Sequence, residues 1–180
     1  KVRDHNEDSV TILKNANDEY LLIVADGMGG HRAGEVASSM VMNHFSKEFS
    51  GMPTIGSKID AINWLKENIN NVNTEIIDHT KKNPDSMGMG TTTVMALVTK
   101  DYLLFGNIGD SSGFVYKNGK LTKATKDHTL VNLLVKSGEI TKEEAKNHPK
   151  KNVLMKALGS STNVEMDIFN IELGVDGVFL

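Results

Sequence analysis

From Ser57 to about His79 the apolar residues Ile62, Leu65, Ile69, Val72 and Ile76 recur three and four apart. That spacing places them on one side of a long helix, as a stripe that faces a core. Ser57 can cap its start, because a serine hydroxyl accepts a hydrogen bond from an early backbone N–H. A second helix is expected over Glu35–Phe49, where Val36, Ala37, Met40, Val41, His44, Phe45 and Phe49 share one stripe. Residues 51–56 contain Pro53 and separate the two helices. Two strands precede them. Ser9–Lys14 is short, and Tyr20–Ala25 is a continuous apolar run of the kind found in a buried strand.

After Asn83-Pro84 and a Gly-Met-Gly loop the pattern changes to strands. Thr91–Thr99 is rich in β-branched residues, Lys100-Asp101 turns the chain, and Tyr102–Ile108 pairs back. Gly113–Lys117 and Lys120–Lys123 flank Asn118-Gly119, a strong hairpin turn. Leu130–Ser137 and Thr141–His148 read as short helices. Thr141 and Glu144 form the capping-box pattern at the start of the second. A strand at Ile168–Leu173 follows. Two strands, two helices, a run of strands, a small helical insert and more strands predict an α+β domain with antiparallel sheet covered by helices. A length of 180 residues suits one domain. The chain starts inside a polar motif without Met and ends on the apolar run Val178-Phe179-Leu180, which reads as a strand cut short. The expectation is a fragment lacking its C-terminal part.

Composition removes several classes. A net charge of −3 is unsuited to nucleic-acid binding by bulk phosphate attraction. The longest apolar stretch, Tyr20–Ala25, is far short of the roughly 20 residues of a membrane span. Lys1-Val2-Arg3 leads straight into polar residues, unlike a signal peptide. With no cysteine there is no disulfide, cysteine zinc site or cysteine nucleophile. Of 20 basic residues only Arg3 and Arg32 are arginine, the side chain whose fork suits carboxylate or phosphate in a fixed geometry.

Acidic residues and glycines gather at strand ends. Arg3-Asp4-His5-Asn6-Glu7-Asp8 crowds potential metal or phosphate contacts together, although such a run is also a common solvated terminus. If Glu7-Asp8 opens a strand, their side chains point to opposite faces. One could then touch an ion while the other held water. Asp26-Gly27-Met28-Gly29-Gly30-His31 leaves the end of the buried strand as a loop running to Gly34. It can offer a carboxylate and a carbonyl to a hard cation, or its glycines can cradle phosphate at the following helix. Walker and dinucleotide spacings are missing, which disfavours a nucleotide-dependent enzyme. Gly109-Asp110-Ser111 ends another strand, where a hairpin turn explains the residues equally well. Asp127-His128-Thr129 reads as an ordinary surface or capped histidine. Together these residues favour hard divalent ions and phosphoryl chemistry, with Arg contacting phosphate oxygens.

Arg3-x-x-Asn6-Glu7-Asp8, Val24-Ala25-Asp26-Gly27-Met28-Gly29-Gly30-His31, Gly90-Thr91-Thr92, Gly109-Asp110-Ser111 and Ala157-Leu158-Gly159 occur in order. As an ordered set they resemble the motifs of the PPM/PP2C metal-dependent serine/threonine phosphatases, bacterial type, across nearly the whole chain. The resemblance implies one domain over residues 1–180 with a four-layer α-β-β-α sandwich, two antiparallel sheets between helix pairs. It implies hydrolysis of phosphoserine and phosphothreonine in proteins by a water bridging two Mn²⁺ or Mg²⁺ ions. By that resemblance Asp26 bridges the ions, while Gly27 lends its carbonyl and Glu7 its carboxylate to one of them. Asp8 partners a metal-held water, Arg3 clamps phosphate, and Asp110 resembles the ligand of a third, weaker metal. Residues 136–164 would form a mobile flap that influences substrate choice. Phosphorylated proteins would be substrates, and a bacterial Ser/Thr kinase the counterpart. A cytoplasmic, monomeric protein that binds no nucleic acid is expected.

Three departures from the family pattern stand out. Ser112 replaces the usual Arg after Gly-Asp-Ser, with an expected change in local packing or charge. Met28 follows Asp-Gly where some members carry a His proposed as general acid, and His31 lies further on. The family's later Asp-Gly and Asp-Asn motifs, which also supply metal ligands, have no counterpart before Leu180; Asp176-Gly177 precedes a strand rather than ending one. The competing reading is a non-catalytic phosphatase-like module that binds metal or a phosphoprotein.

Overall fold

A computed structural model of the chain describes residues 6–29, 33–172 and 174–180. The long apolar stripe becomes helix α2 (Lys58–Lys82), packed with α1 (Ala33–Ser50). Ser57 caps α2, its Oγ accepting from Asp60 N–H, and the Asp60 carboxylate accepts from Ser57 N–H in return. The helix stops at Asn83, because Pro84 disfavours helical backbone in the residue before it.

Strands β1 (Asp8–Lys14), β2 (Tyr20–Met28), β4 (Thr93–Val98), β5 (Leu103–Ile108) and β8 (Asp167–Ile171) form one antiparallel sheet in the order β1-β2-β4-β5-β8. The short β3 (Gly90–Thr91) pairs with the end of β2. Alternation along these strands separates two cores. Leu21, Ile23, Met95, Leu97, Leu104 and Ile108 face α1 and α2, where Phe45, Phe49, Leu65, Ile69 and Ile76 complete the packing. Val94, Ala96, Leu103 and Phe105 face the other way. They meet a second sheet of β6 (Phe114–Lys117), β7 (Lys120–Lys123) and β9 (Gly177–Phe179), ordered β7-β6-β9. The described residues therefore build a helix pair and two antiparallel sheets in succession, three of the four expected layers. Asn118 and Gly119 both have positive φ, +52° and +76°, as the tight turn between β6 and β7 requires.

Two helices, α3 (Leu130–Ser137) and α4 (Lys142–Asn147), lie in a long excursion between the sheets, and the Thr141–Glu144 capping box forms as read. Both ends of this excursion are tied down. At its base Leu130 N–H donates to Val153 O and Met155 N–H to His128 O. Leu158 is fully buried and exchanges backbone hydrogen bonds with Thr91. The chain is thus back in the core at Ala157–Leu158.

The β1–β2 turn carries a buried carboxylate. Glu19 accepts from Asn15 Nδ2, Asn17 Nδ2, Thr54 Oγ1 and Ile55 N–H. Burial pushes its pKa up, but these donors outweigh burial and hold the carboxyl below its ordinary 4.5. Its stabilising contribution is complete above the unfolded value and is lost as pH falls through the lower folded value. Wild-type melting temperature should therefore drop as pH is lowered from 6 to 3. Glu19→Gln should melt lower at pH 7 and show a shallower acid-side drop. Identical pH profiles for the two proteins would refute this role.

Candidate metal centre

Asp8 and Asp26 are Cα partners in the β1–β2 ladder. Directly opposed residues on an antiparallel pair project to the same face, so both carboxylates emerge together at the end of the large sheet, and both residues are exposed. Like charges facing each other across strands cost roughly 0.2–1 kcal/mol. The same ladder buries Leu21 and Ile23 completely, worth about 1.5–3 kcal/mol each. The ladder wins, and the carboxylate pair is held in place by packing elsewhere along the strands. A divalent cation between them would relieve the repulsion.

Glu7 lies on the opposite side, as its neighbour's orientation requires. Its carbonyl accepts from Gly27 N–H at 3.1 Å and from Ser38 Oγ of α1 at 2.7 Å. Its carboxyl carbon lies beside Gly34, in the first turn of α1. Gly27 and Gly34 touch backbone to backbone: a Cβ on Gly27 would sit 2.1 Å from the Gly34 oxygen, and one on Gly34 would sit 2.7 Å from Gly27 C. This contact places the start of α1 against the Asp26-Gly27 segment. That segment is strand rather than the anticipated loop, because Gly27 and Met28 pair with Thr91 and Gly90 of β3.

Buried threonines connect this corner to the second acidic loop. Thr92 N–H donates to Asp26 O at 2.9 Å, and Thr92 Oγ1 accepts from Asp26 N–H at 3.2 Å. The Thr92 and Ser111 hydroxyls are 2.7 Å apart, so a short chain of hydrogen bonds runs from Asp26 to the residue after Asp110. Gly109-Asp110-Ser111 is not a hairpin turn: β5 and β6 belong to different sheets, and this segment carries the chain from one to the other. Asp110 is exposed. Ser112, in place of the family's Arg, approaches Asp127 Oδ1 at 3.4 Å, while Lys123 pairs with both Asp127 oxygens at 2.6 and 2.7 Å. The negative charge beside Ser112 is therefore balanced by a lysine from β7.

The structure brings Glu7, Asp8, Asp26 and Gly27 to one corner and ties Asp110 to it through Thr92 and Ser111. Arg3, His31 and Arg32 lie outside the described residues. Asp176 is elsewhere, accepting from Asn118 N–H at the hairpin turn, the end of β6 away from Gly113. Among the described residues no three Asp, Glu, His or Cys side chains converge as a metal cluster. The donors gathered here are two facing carboxylates and a third one beside the Gly27–Gly34 contact, with Gly27 free of any side chain. An oxygen-only set of this kind fits Mg²⁺ or Mn²⁺, which keep several waters, rather than zinc.

One residue beside this corner differs from its expectation as an ordinary surface or capped histidine. His128 is not a surface histidine; its side chain is 10% exposed and Nδ1 accepts from Gly109 N–H at 3.1 Å. Nε2 lies 3.1 Å from Asp167 Oδ2, close but poorly aligned for a hydrogen bond. Burial pushes the Asp167 carboxyl up, yet its contacts with His128 and Lys156 prevail and hold it below the usual aspartate value. The visible signal was Asp-His-Thr just before a helix, which by itself distinguishes no role.

The protein phosphatase 2C family model matches residues 1–158. The serine/threonine phosphatase stp of Listeria welshimeri is 41% identical over 169 residues, covering 94% of this chain and 67% of that protein. The crystal structure of serine/threonine phosphatase Stp1 from Staphylococcus aureus superposes with a TM-score of 0.88 at 39% identity, covering 95% of this chain and 67% of that one. The catalytic domain of the serine/threonine protein phosphatase PstP, solved with two manganese ions, superposes at 0.76 and 36% identity, covering 97% and 70%. The fold is thus that of a metal-dependent protein phosphatase, and the chain belongs to the protein phosphatase 2C family. Within that family its relatives are bacterial serine/threonine phosphatases, and it spans about two thirds of their length. No helix among the described residues is long and apolar enough to cross a membrane.

The Gly27–Gly34 contact yields a direct test. Gly27→Ala forces backbone apart at the corner, at a cost of about 3 kcal/mol, the upper end for overpacking. That should lower the melting temperature by roughly 6–12 °C for a chain of this size. Gly51→Ala, where a Cβ meets nothing within 4 Å, is the control and should melt within about 2 °C of wild type. Equal melting of the two variants would contradict the close contact.

Proposed function

We propose that Glu7, Asp8, Asp26, Gly27 and Asp110, together with Arg3, form the catalytic corner of a bacterial-type phosphatase acting on phosphoserine and phosphothreonine in proteins. The observation that carries this reading is the facing register of Asp8 and Asp26 at the open end of the large sheet. Two divalent ions, when bound, would supply a water polarised for attack and would neutralise charge on the phosphoryl oxygens. Asp26 would hold both ions. Glu7 and the Gly27 carbonyl would complete the oxygen ligands of one of them, on the α1 side of the corner. Asp8, projecting beside Asp26, would orient water by accepting its proton in a hydrogen bond. Arg3 would grip the phosphate with two parallel N–H donors, and Asp110 would hold a third, weaker ion.

In the reaction a water oxygen bonds to phosphorus as the bond to the serine or threonine oxygen breaks. The leaving oxygen takes up a proton, and inorganic phosphate and the free hydroxyl are the products. No covalent phosphoenzyme is needed, because the attacking oxygen is that of water. The protein would reverse phosphorylation by a bacterial Ser/Thr kinase, in the cytoplasm. The base of the 128–155 excursion is tied to the residue that contacts Gly109, which supports a role for the excursion in substrate choice.

The test is Mn²⁺-dependent phosphate release from a phosphothreonine peptide by the full-length protein. Asp26→Asn should lower kcat by at least about a thousandfold, comparable to removing a principal electrostatic element of an active site. Near-normal turnover would exclude the bridging role. Arg3→Ala should raise KM more than it lowers kcat, as expected when binding of the phosphate is lost. An unchanged KM would exclude the clamp.

A further inference from the structure

We infer that His128 is a positioning residue, which holds the Gly109 turn so that Asp110 reaches its ion and couples that turn to the base of the 128–155 excursion. This rests on the reading of Asp110 as an ion ligand given above. Gly109 has φ +103°, and a Cβ there would sit 2.5 Å from Thr92 Cγ2, so the turn is confined to glycine. Both backbone polar groups of Gly109 are held by His128, and Asn107 adds a second donor to the carbonyl. Its N–H donates to His128 Nδ1 at 3.1 Å, and its carbonyl accepts from His128 N–H at 2.8 Å and from Asn107 Nδ2 at 3.2 Å. Asn107 is fully buried, and its Nδ2 also reaches Lys126 O at 2.9 Å, which fixes the approach to His128.

The remaining contacts of His128 point away from the corner. With Nδ1 accepting, the ring proton resides on Nε2, which faces Asp167 of β8. Asp167 is itself the register partner of Asn107, so ring and amide are braced on adjacent strands. The His128 carbonyl accepts from Met155 N–H at 2.8 Å. One residue therefore contacts the acidic turn with its ring, the edge strand with its far nitrogen, and the excursion with its backbone. Partners that orient a ligand-bearing segment without touching the ion commonly change metal affinity by about 10–100-fold.

The experiment counts Mn²⁺ bound to the full-length protein by calorimetry and by electron paramagnetic resonance, in wild type, Asp110→Asn, His128→Ala and His128→Asn. Asp110→Asn should weaken one class of ion, the weakest. His128→Ala should weaken that same class by about tenfold or more and leave the tighter ions within about twofold. His128→Asn should restore it, because an asparagine Oδ1 falls near the position of Nδ1 and accepts from Gly109 N–H; a merely space-filling role would not be rescued in this way. Loss of the weak ion in Asp110→Asn but not in His128→Ala overturns the inference alone. Its retention in both overturns the Asp110 reading and the inference with it. If His128→Ala does not fold, nitrogen-15 shifts of the wild-type ring decide: a proton on Nε2 with bare Nδ1 is expected, and a proton on Nδ1 refutes the proposal.

Discussion

Everything at the working end of this domain hangs on two buried threonines. Thr91 and Thr92 are at most 2% exposed and sit where β3 gives way to β4. Thr92 takes the amide and gives its own to the carbonyl of Asp26, and its hydroxyl meets Ser111. Thr91 exchanges backbone hydrogen bonds with Leu158, and its hydroxyl has the Asp26 carbonyl at 3.0 Å. Three segments far apart in sequence are thereby joined at one dipeptide: the end of β2, the crossing between sheets, and the return of the helical excursion. A buried donor or acceptor left without its partner costs about 1–3 kcal/mol, so the three arrangements stand or fall together.

The placement of charge follows from this rigidity. Two carboxylates directly opposed on neighbouring strands repel, and an isolated hairpin would splay or slip to separate them. Here Leu21 and Ile23 on β2 are locked under the helices, and a slip of one residue would turn that apolar set outward. Glu7 is kept on the other side by the same alternation, with its carbonyl pinned by Gly27 and Ser38. The placement of these carboxylates is in this way set by strand register and not by loop conformation.

Local signals were read well where the physics is local. The Asn118-Gly119 turn, the Ser57 cap, the Thr141–Glu144 box and the stripe of α2 all depend on residues within a few positions of each other. The opposite faces of Glu7 and Asp8 followed from strand alternation alone. The ordered motifs identified the family and pointed to the residues that the fold gathers at one corner. What escaped depends on distant partners. β2 extends through Gly27 and Met28 because β3, over 60 residues on, supplies its hydrogen bonds. Gly109-Asp110 resembled a hairpin because nothing nearby reveals that β6 joins another sheet. His128 reads as an ordinary histidine in the sequence because its contacts are with Gly109 and Asp167, 19 residues before it and 39 after it.

The bare main-chain contact between Gly27 and Gly34 has a mechanical consequence. With no side chain between them there is no compressible layer, and helix and strand must travel as one solid piece. The carboxylates of that corner thus sit on a fixed anvil. Movement at this end of the fold therefore has to be taken up elsewhere than between β2 and α1.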